Sequence, residues 1–197
     1  GHSIAKGLET KAFYCLLISF SCFSIYSLGI ATNLVPLLTE AGATSVASLA
    51  FAMGLAGIGA RLTVGYLLDR LPGNIIGMCT LLLPLIGCSI LLTDAPSNFM
   101  LAVAAISFGA AIGAEMDVAL YLGTRHFGLK SFAGLFGIII GCAALLSSFS
   151  PWIAGKLHDI AGNYDLFLKV IMGIMTLGAL SILMIGREVP NWSAAET

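Results

Sequence analysis

Six stretches of this 197-residue chain stay apolar for about twenty residues or more, at roughly 12–38, 45–68, 74–93, 98–124, 131–156 and 165–186. Crossing the hydrocarbon core of a bilayer takes about 20 apolar helical residues at about 1.5 Å each. The pattern therefore predicts six transmembrane helices. Polar punctuation falls between the runs. Glu40-Ala-Gly42 closes the first, Asp69-Arg70-Leu-Pro-Gly73 the second and Asp94-Ala-Pro96 the third. His126-Phe-Gly-Leu-Lys130 follows the fourth run and His158-Asp159-Ile-Ala-Gly162-Asn163 the fifth. Clusters of Gly, Pro and charge of this kind end helices.

Composition agrees with the pattern. Hydrophobic residues make up 58% of the chain and charged residues 10%, where a soluble domain carries about 25% charged residues. Such a chain cannot cover itself with a solvated surface, and an integral membrane protein is expected. The formal net charge of −1 argues against a nucleic-acid partner, which needs a basic face. Cys15, Cys22, Cys79, Cys88 and Cys142 all lie in apolar runs and read as small packing residues, not as a disulfide framework. The chain begins Gly1-His2-Ser3, as expected of a trimmed or internal segment, with residues 1–10 a tag remnant or linker. No signal peptide is expected, because the run after Lys11 is too long for one.

Lys and Arg give an orientation. With a cytoplasmic N-terminus, that side collects Lys6, Lys11, Arg70, Arg125, Lys130 and Arg187, against Lys156 and Lys169 opposite. Both termini are then cytoplasmic, with 188–197 a cytoplasmic tail, in the plasma (inner) membrane. An internal echo suggests the architecture. Gly65-Tyr-Leu-Leu-Asp69 at the end of the second run recurs as Gly155-Lys-Leu-His-Asp159 in the fifth, each followed by Gly-Asn. An odd number of runs separates the copies, so they face opposite sides of the membrane. The expected fold is an all-α membrane protein of six transmembrane helices in a 3+3 inverted repeat, a recurring plan in secondary transporters. Runs three and six, dominated by Leu, Ile and Met, are expected to face lipid. The other four carry the small and polar positions and are expected to pack closely around a cavity.

An arginine at membrane depth costs about 2.5–3.5 kcal/mol on insertion scales, so Arg61 needs a partner, a wet cavity or an anionic ligand. It sits in Gly54-Leu-Ala-Gly-Ile-Gly-Ala-Arg61-Leu-Thr-Val-Gly65-Tyr-Leu-Leu-Asp69-Arg70. That segment, with Thr124-Arg-His-Phe-Gly128, Gly155-Lys-Leu-His-Asp159 and Gly162-Asn-Tyr164, resembles the C-terminal six-helix half of the major facilitator superfamily. The Arg61-to-Gly65 spacing and the Arg-His-Phe-Gly turn look most like its monocarboxylate and oxalate/formate branch. The resemblance covers about residues 11–187. It implies a twelve-helix transporter with its substrate site between two halves, so the N-terminal six-helix half of the same protein is an expected partner. It also implies that Arg61 binds a substrate carboxylate, a planar anion that suits a guanidinium fork. Proton-coupled members of the branch often carry an acid one turn before the arginine, where this chain has Gly57. Gly65, Asp69 and Arg70 match a loop signature that latches helices during gating, with Asp159 the counterpart outside.

The residues alone leave a second reading for Arg61, a structural ion pair. Glu115 lies at comparable depth and is the expected partner across the cavity, and with it a candidate for substrate contact and proton coupling. Asp117, also a proton-coupling candidate, is expected to pair with Arg125. Tyr26 and Asn33 are candidate substrate-lining groups, and Ser147, Ser148 and Ser150 further cavity-lining candidates. Gly134, Gly137 and Gly141 form an expected packing seam. No catalytic motif, paired-cysteine metal site or nucleotide loop is present in the sequence, so neither enzyme activity nor a cofactor is expected. The expected function is secondary transport of a small organic anion, of the monocarboxylate class, by alternating access and in symport. The alternatives are a self-assembling half-transporter or channel, and a truncated membrane protein with a structural role.

Overall fold

A computed structural model describes residues 7–186, except the side chains of residues 129 and 130. The expected tail at 188–197, most of the expected linker at 1–10, and Lys6 and Arg187 lie outside the described residues. Six helices make up the described chain. They are α1 (Lys11–Glu40), α2 (Val46–Leu68), α3 (Gly73–Leu91), α4 (Asn98–Gly128), α5 (Ser131–Ala161) and α6 (Asp165–Leu183). All six are long and apolar enough to cross a membrane.

Local chemistry sets the helix ends. Thr10 Oγ1 accepts the Phe13 N–H at 3.3 Å to start α1, and Ser97 Oγ accepts the Met100 N–H at 3.3 Å to start α4. Each satisfies a donor that the first turn leaves over. Gly128, at φ 68° and ψ 157°, separates α4 from α5 in a conformation that a side chain would make costly. Within α5, Pro151 supplies no N–H and interrupts the helical ladder.

The helices pack through small residues. Gly87 and Gly77 of α3 sit under Phe108 and Val118 of α4, and Gly77 also meets Ile182 of α6. Gly178 of α6 faces Cys22 of α1, and Phe20 of α1 meets Phe136 of α5 with ring centroids 6.0 Å apart. Ser150 Oγ donates to the Ile25 carbonyl at 2.7 Å, joining α5 to α1. At the centre Tyr26, fully buried, donates its hydroxyl to the Phe108 carbonyl at 3.1 Å. A buried hydroxyl without such a partner would cost about 1–3 kcal/mol.

Burial within the bundle differs from helix to helix. In their most apolar windows α3 and α6 are 50% and 44% buried within the molecule, whereas α5 is 28% and α2 only 6% buried. The reason is that α3 and α6 pack on each other and on α4 and α1, while α2 touches the bundle along one narrow stripe. The expected seam on α5 is revised, because a side chain at Gly137 or Gly141 would meet open space. The tight seam is elsewhere. A Cβ on Gly109 would run into the Met53 carbonyl, and one on Gly113 into the Gly57 carbonyl. The α2 and α4 backbones touch.

Gly113→Ala should therefore lower stability by about 1–3 kcal/mol, the usual cost of overpacking. Gly59→Ala, where a Cβ meets open space, should raise it by about 0.5–1 kcal/mol through helix propensity. Thermal unfolding in detergent reads both, and shifts of the same sign and size would contradict the seam.

Candidate functional site

The charged site is a continuation of that seam. Met53, Gly57 and Arg61 are spaced four residues apart on α2, and Gly109, Gly113 and Asp117 are spaced likewise on α4. Positions four apart share a helix face. Met53 meets Gly109 and Gly57 meets Gly113, and one turn further Arg61 Nε donates to Asp117 Oδ2 at 3.1 Å. All three pairs keep the 56-residue offset of the Arg61–Asp117 bond. The two helices run side by side in fixed register.

A groove of about 490 Å³ follows this contact, lined by Ala50, Met53, Gly54, Gly57, Ile58, Arg61, Leu62, Gly109, Ile112 and Gly113. Arg61 is the one charged residue in that lining. Its side chain is 58% exposed and that of Asp117 28%. Only Nε is engaged, so the two Nη groups have no acceptor among the described residues. In a wet groove an ion pair this exposed is worth about 0–1 kcal/mol. A carboxylate entering the groove can therefore compete for the guanidinium, and the pocket wall is otherwise apolar. Gly57 suits the same contact, since a Cβ there would lie 3.2 Å from the Gly109 carbonyl, a tight fit against the α4 backbone.

Several sequence expectations are corrected here. Glu115 does not meet Arg61. It is 1% exposed, with Oε2 buried and unpartnered, on the inner side of α4 within electrostatic range of Cys22. Two residues turn a helix by about 200°, so Asp117 faces α2 while Glu115 faces the core. Asp117 pairs with Arg61 and not with Arg125, whose guanidinium lies 4.9 Å above the Tyr121 ring. Tyr26 is spent on the Phe108 carbonyl and does not line the groove. Asn33 Nδ2 donates to the Gly29 carbonyl at 2.9 Å and Oδ1 accepts from Tyr164, which places it away from Arg61. Ser147 and Ser148 bond carbonyls of their own helix, and Ser150 braces α1.

Of the expected latch, Gly65 and Asp69 are exposed, and Arg70 stacks over the Tyr66 ring at 4.4 Å. Neither Asp69 nor Arg70 nor Asp159 forms an ion pair among the described residues. A tie does exist at the opposite end, where Glu40 Oε1 accepts the Tyr164 N–H at 3.2 Å and Oε2 lies 3.7 Å from His158 Nε2. Partial burial, with the Glu40 charge beside it, pushes the ionisation of Tyr164 above the usual phenol range. No cluster of His, Cys, Asp and Glu suited to a metal occurs among the described residues. No protein-family model matches the chain, and no curated protein does.

With the five native cysteines replaced by serine, Arg61→Cys should react with a charged, water-soluble thiol reagent. Glu115→Cys should react about tenfold more slowly or less, since access governs thiol chemistry. Equal rates would contradict the placement of the two residues on opposite faces of the seam.

Proposed function

We propose that this chain is the C-terminal six-helix half of a secondary transporter of the major facilitator type, moving a small organic anion by alternating access. The observation that carries the proposal is the groove between α2 and α4, with one under-used guanidinium at its end. A short monocarboxylate is the cargo that suits it. Its carboxylate would take the Arg61 fork in place of Asp117, and its apolar part would lie along Met53, Ile58 and Leu62.

The exposed side of the bundle supports the missing half. Phe51, Leu55, Ile58, Leu62 and Tyr66 form an apolar stripe on α2 that this chain leaves uncovered. Leu145, Phe149 and Trp152 on α5 are similarly exposed, beside the open Gly137 and Gly141. Ile58 and Leu62 belong both to the stripe and to the groove. A second six-helix half laid on this face would therefore close the cavity over Arg61. The 3+3 inverted repeat is supported by the pairing of helices. Exchanging α1 with α4, α2 with α5 and α3 with α6 turns the α2–α4 contact into α5–α1 and the α3–α4 contact into α6–α1, and both occur.

Glu115 takes the role of proton carrier in this proposal, being a buried carboxyl with an unpartnered oxygen one helix face from the groove. Asp69, Arg70 and Asp159 would form gating contacts with the absent half. The chain would lie in the plasma (inner) membrane with both ends cytoplasmic. A second reading, self-assembly into a transporter or channel, rests on the same uncovered faces of α2 and α5, which could receive a second copy of the chain. A stable dimer of the 197-residue chain that transports without any other polypeptide would favour it.

The test is uptake of short mono- and dicarboxylates into vesicles holding the full-length protein. Arg61→Lys should lower uptake about tenfold, because an ammonium cannot replace a bidentate fork. Glu115→Gln should flatten the pH dependence of exchange. Uptake of every tested carboxylate at the wild-type rate in Arg61→Lys would sink the binding role.

A further inference from the structure

The groove between α2 and α4 is longer than a carboxylate needs. On α2 its lining runs from Arg61 back to Ala50, about 16 Å at about 1.5 Å per residue. Ala50, Gly54, Gly57 and Arg61 are spaced four, three and four residues apart, so they stand in a row on one helix face. Arg61 is the only lining residue whose side chain can donate a hydrogen bond. Beyond it the wall is made of aliphatic side chains, Met53 and four glycines.

Three of those glycines are taken up by the helix contact. A Cβ on Gly109 or Gly113 would run into the facing backbone, and one on Gly57 would lie 3.2 Å from the Gly109 carbonyl. Gly54 is different. It is exposed, and a Cβ there has nothing within 4 Å. The packing of α2 on α4 therefore tolerates a side chain at this position, and the open space it would enter borders the groove. A glycine inside a helix costs stability relative to alanine. What the missing side chain leaves is groove length.

We propose that the groove takes a monocarboxylate carrying a hydrocarbon tail of about four to eight carbons, with Gly54 setting how long the tail can be. The inference rests on the reading of Arg61 as the group that holds the carboxylate, and adds the shape of the cargo. Gly54 lies two turns, or about 10 Å, from Arg61 along α2. An extended chain advances about 1.2 Å per bond, as the polypeptide backbone does, so a tail of that length runs from Arg61 past Ile58 to Gly54. With no polar side chain along its path, each methylene laid on the wall should tighten binding up to about fourfold.

The experiment compares butyrate with octanoate on the full-length protein in detergent, wild type and Gly54→Leu. Equilibrium dialysis, with empty micelles as the background, reads each affinity. Wild type should bind octanoate at least about tenfold more tightly than butyrate. Gly54→Leu should weaken octanoate about tenfold and leave butyrate within about twofold, because the added side chain fills only the far end of the groove. If Gly54→Leu does not fold, a second measurement decides. With the native cysteines replaced by serine, octanoate should protect Gly54→Cys from a charged thiol reagent and butyrate should not. Equal affinity for the two acids in wild type, equal weakening of both in Gly54→Leu, or equal protection by both would overturn the tail site while leaving Arg61 as the anion hook. If wild type binds neither acid, the anion reading fails and the tail site fails with it.

Discussion

The backbone contact between α2 and α4 sets the position of the groove and of the Arg61–Asp117 pair at its end. α2 is the least buried of the six helices, so it has little apolar area with which to hold its place. Its register rests on Gly109 and Gly113, where any side chain would collide with the facing backbone, and on Gly57, where a Cβ would be a tight fit 3.2 Å from the Gly109 carbonyl. Helices in a membrane gain little from apolar burial against one another, and close packing at small residues takes its place. The contact continues one turn further into the Arg61–Asp117 pair. The costly arginine is thus met by a partner whose position the glycines determine.

That arrangement separates two jobs that depth alone would merge. Asp117 neutralises Arg61 on the groove side, at the exposed surface of the seam. Glu115 faces the interior, close to the packing of α1 on α4. An anion in the groove would act directly on the first carboxylate and only indirectly on the second. In the proposed transporter, Arg61 and Glu115 would therefore not be linked through a shared ion pair.

The six helices were legible because each apolar run is long and its ends carry Gly, Pro or charge. Arg61 stood out for a similar reason, as one charge in a long apolar helix. Its partner was misread although the signal was present. Arg61 lies eight residues before Asp69, and Asp117 lies eight before Arg125, which matches their depths more closely than Glu115 does. The row Gly109, Gly113, Asp117 also points to the right face of α4, given that the two glycines meet α2. What the sequence could not convey is which glycines meet a neighbour. Gly137 and Gly141 have the same spacing as Gly109 and Gly113, yet the first pair faces open space and the second a backbone. Tyr26 and Asn33 failed as groove residues because a polar group in an apolar helix can be used up by a carbonyl, as both are.

In the proposed site Arg61 is held loosely by Asp117 and released to an anionic ligand. Carboxylate affinity of Asp117→Asn relative to wild type tests it most directly. Removing the competing carboxylate while leaving the groove intact should tighten binding up to about fivefold, the worth of an exposed ion pair at about 1 kcal/mol. Binding that is unchanged or weaker in Asp117→Asn would contradict the account, because Asp117 would then hold Arg61 in place for structure alone or share in the site itself.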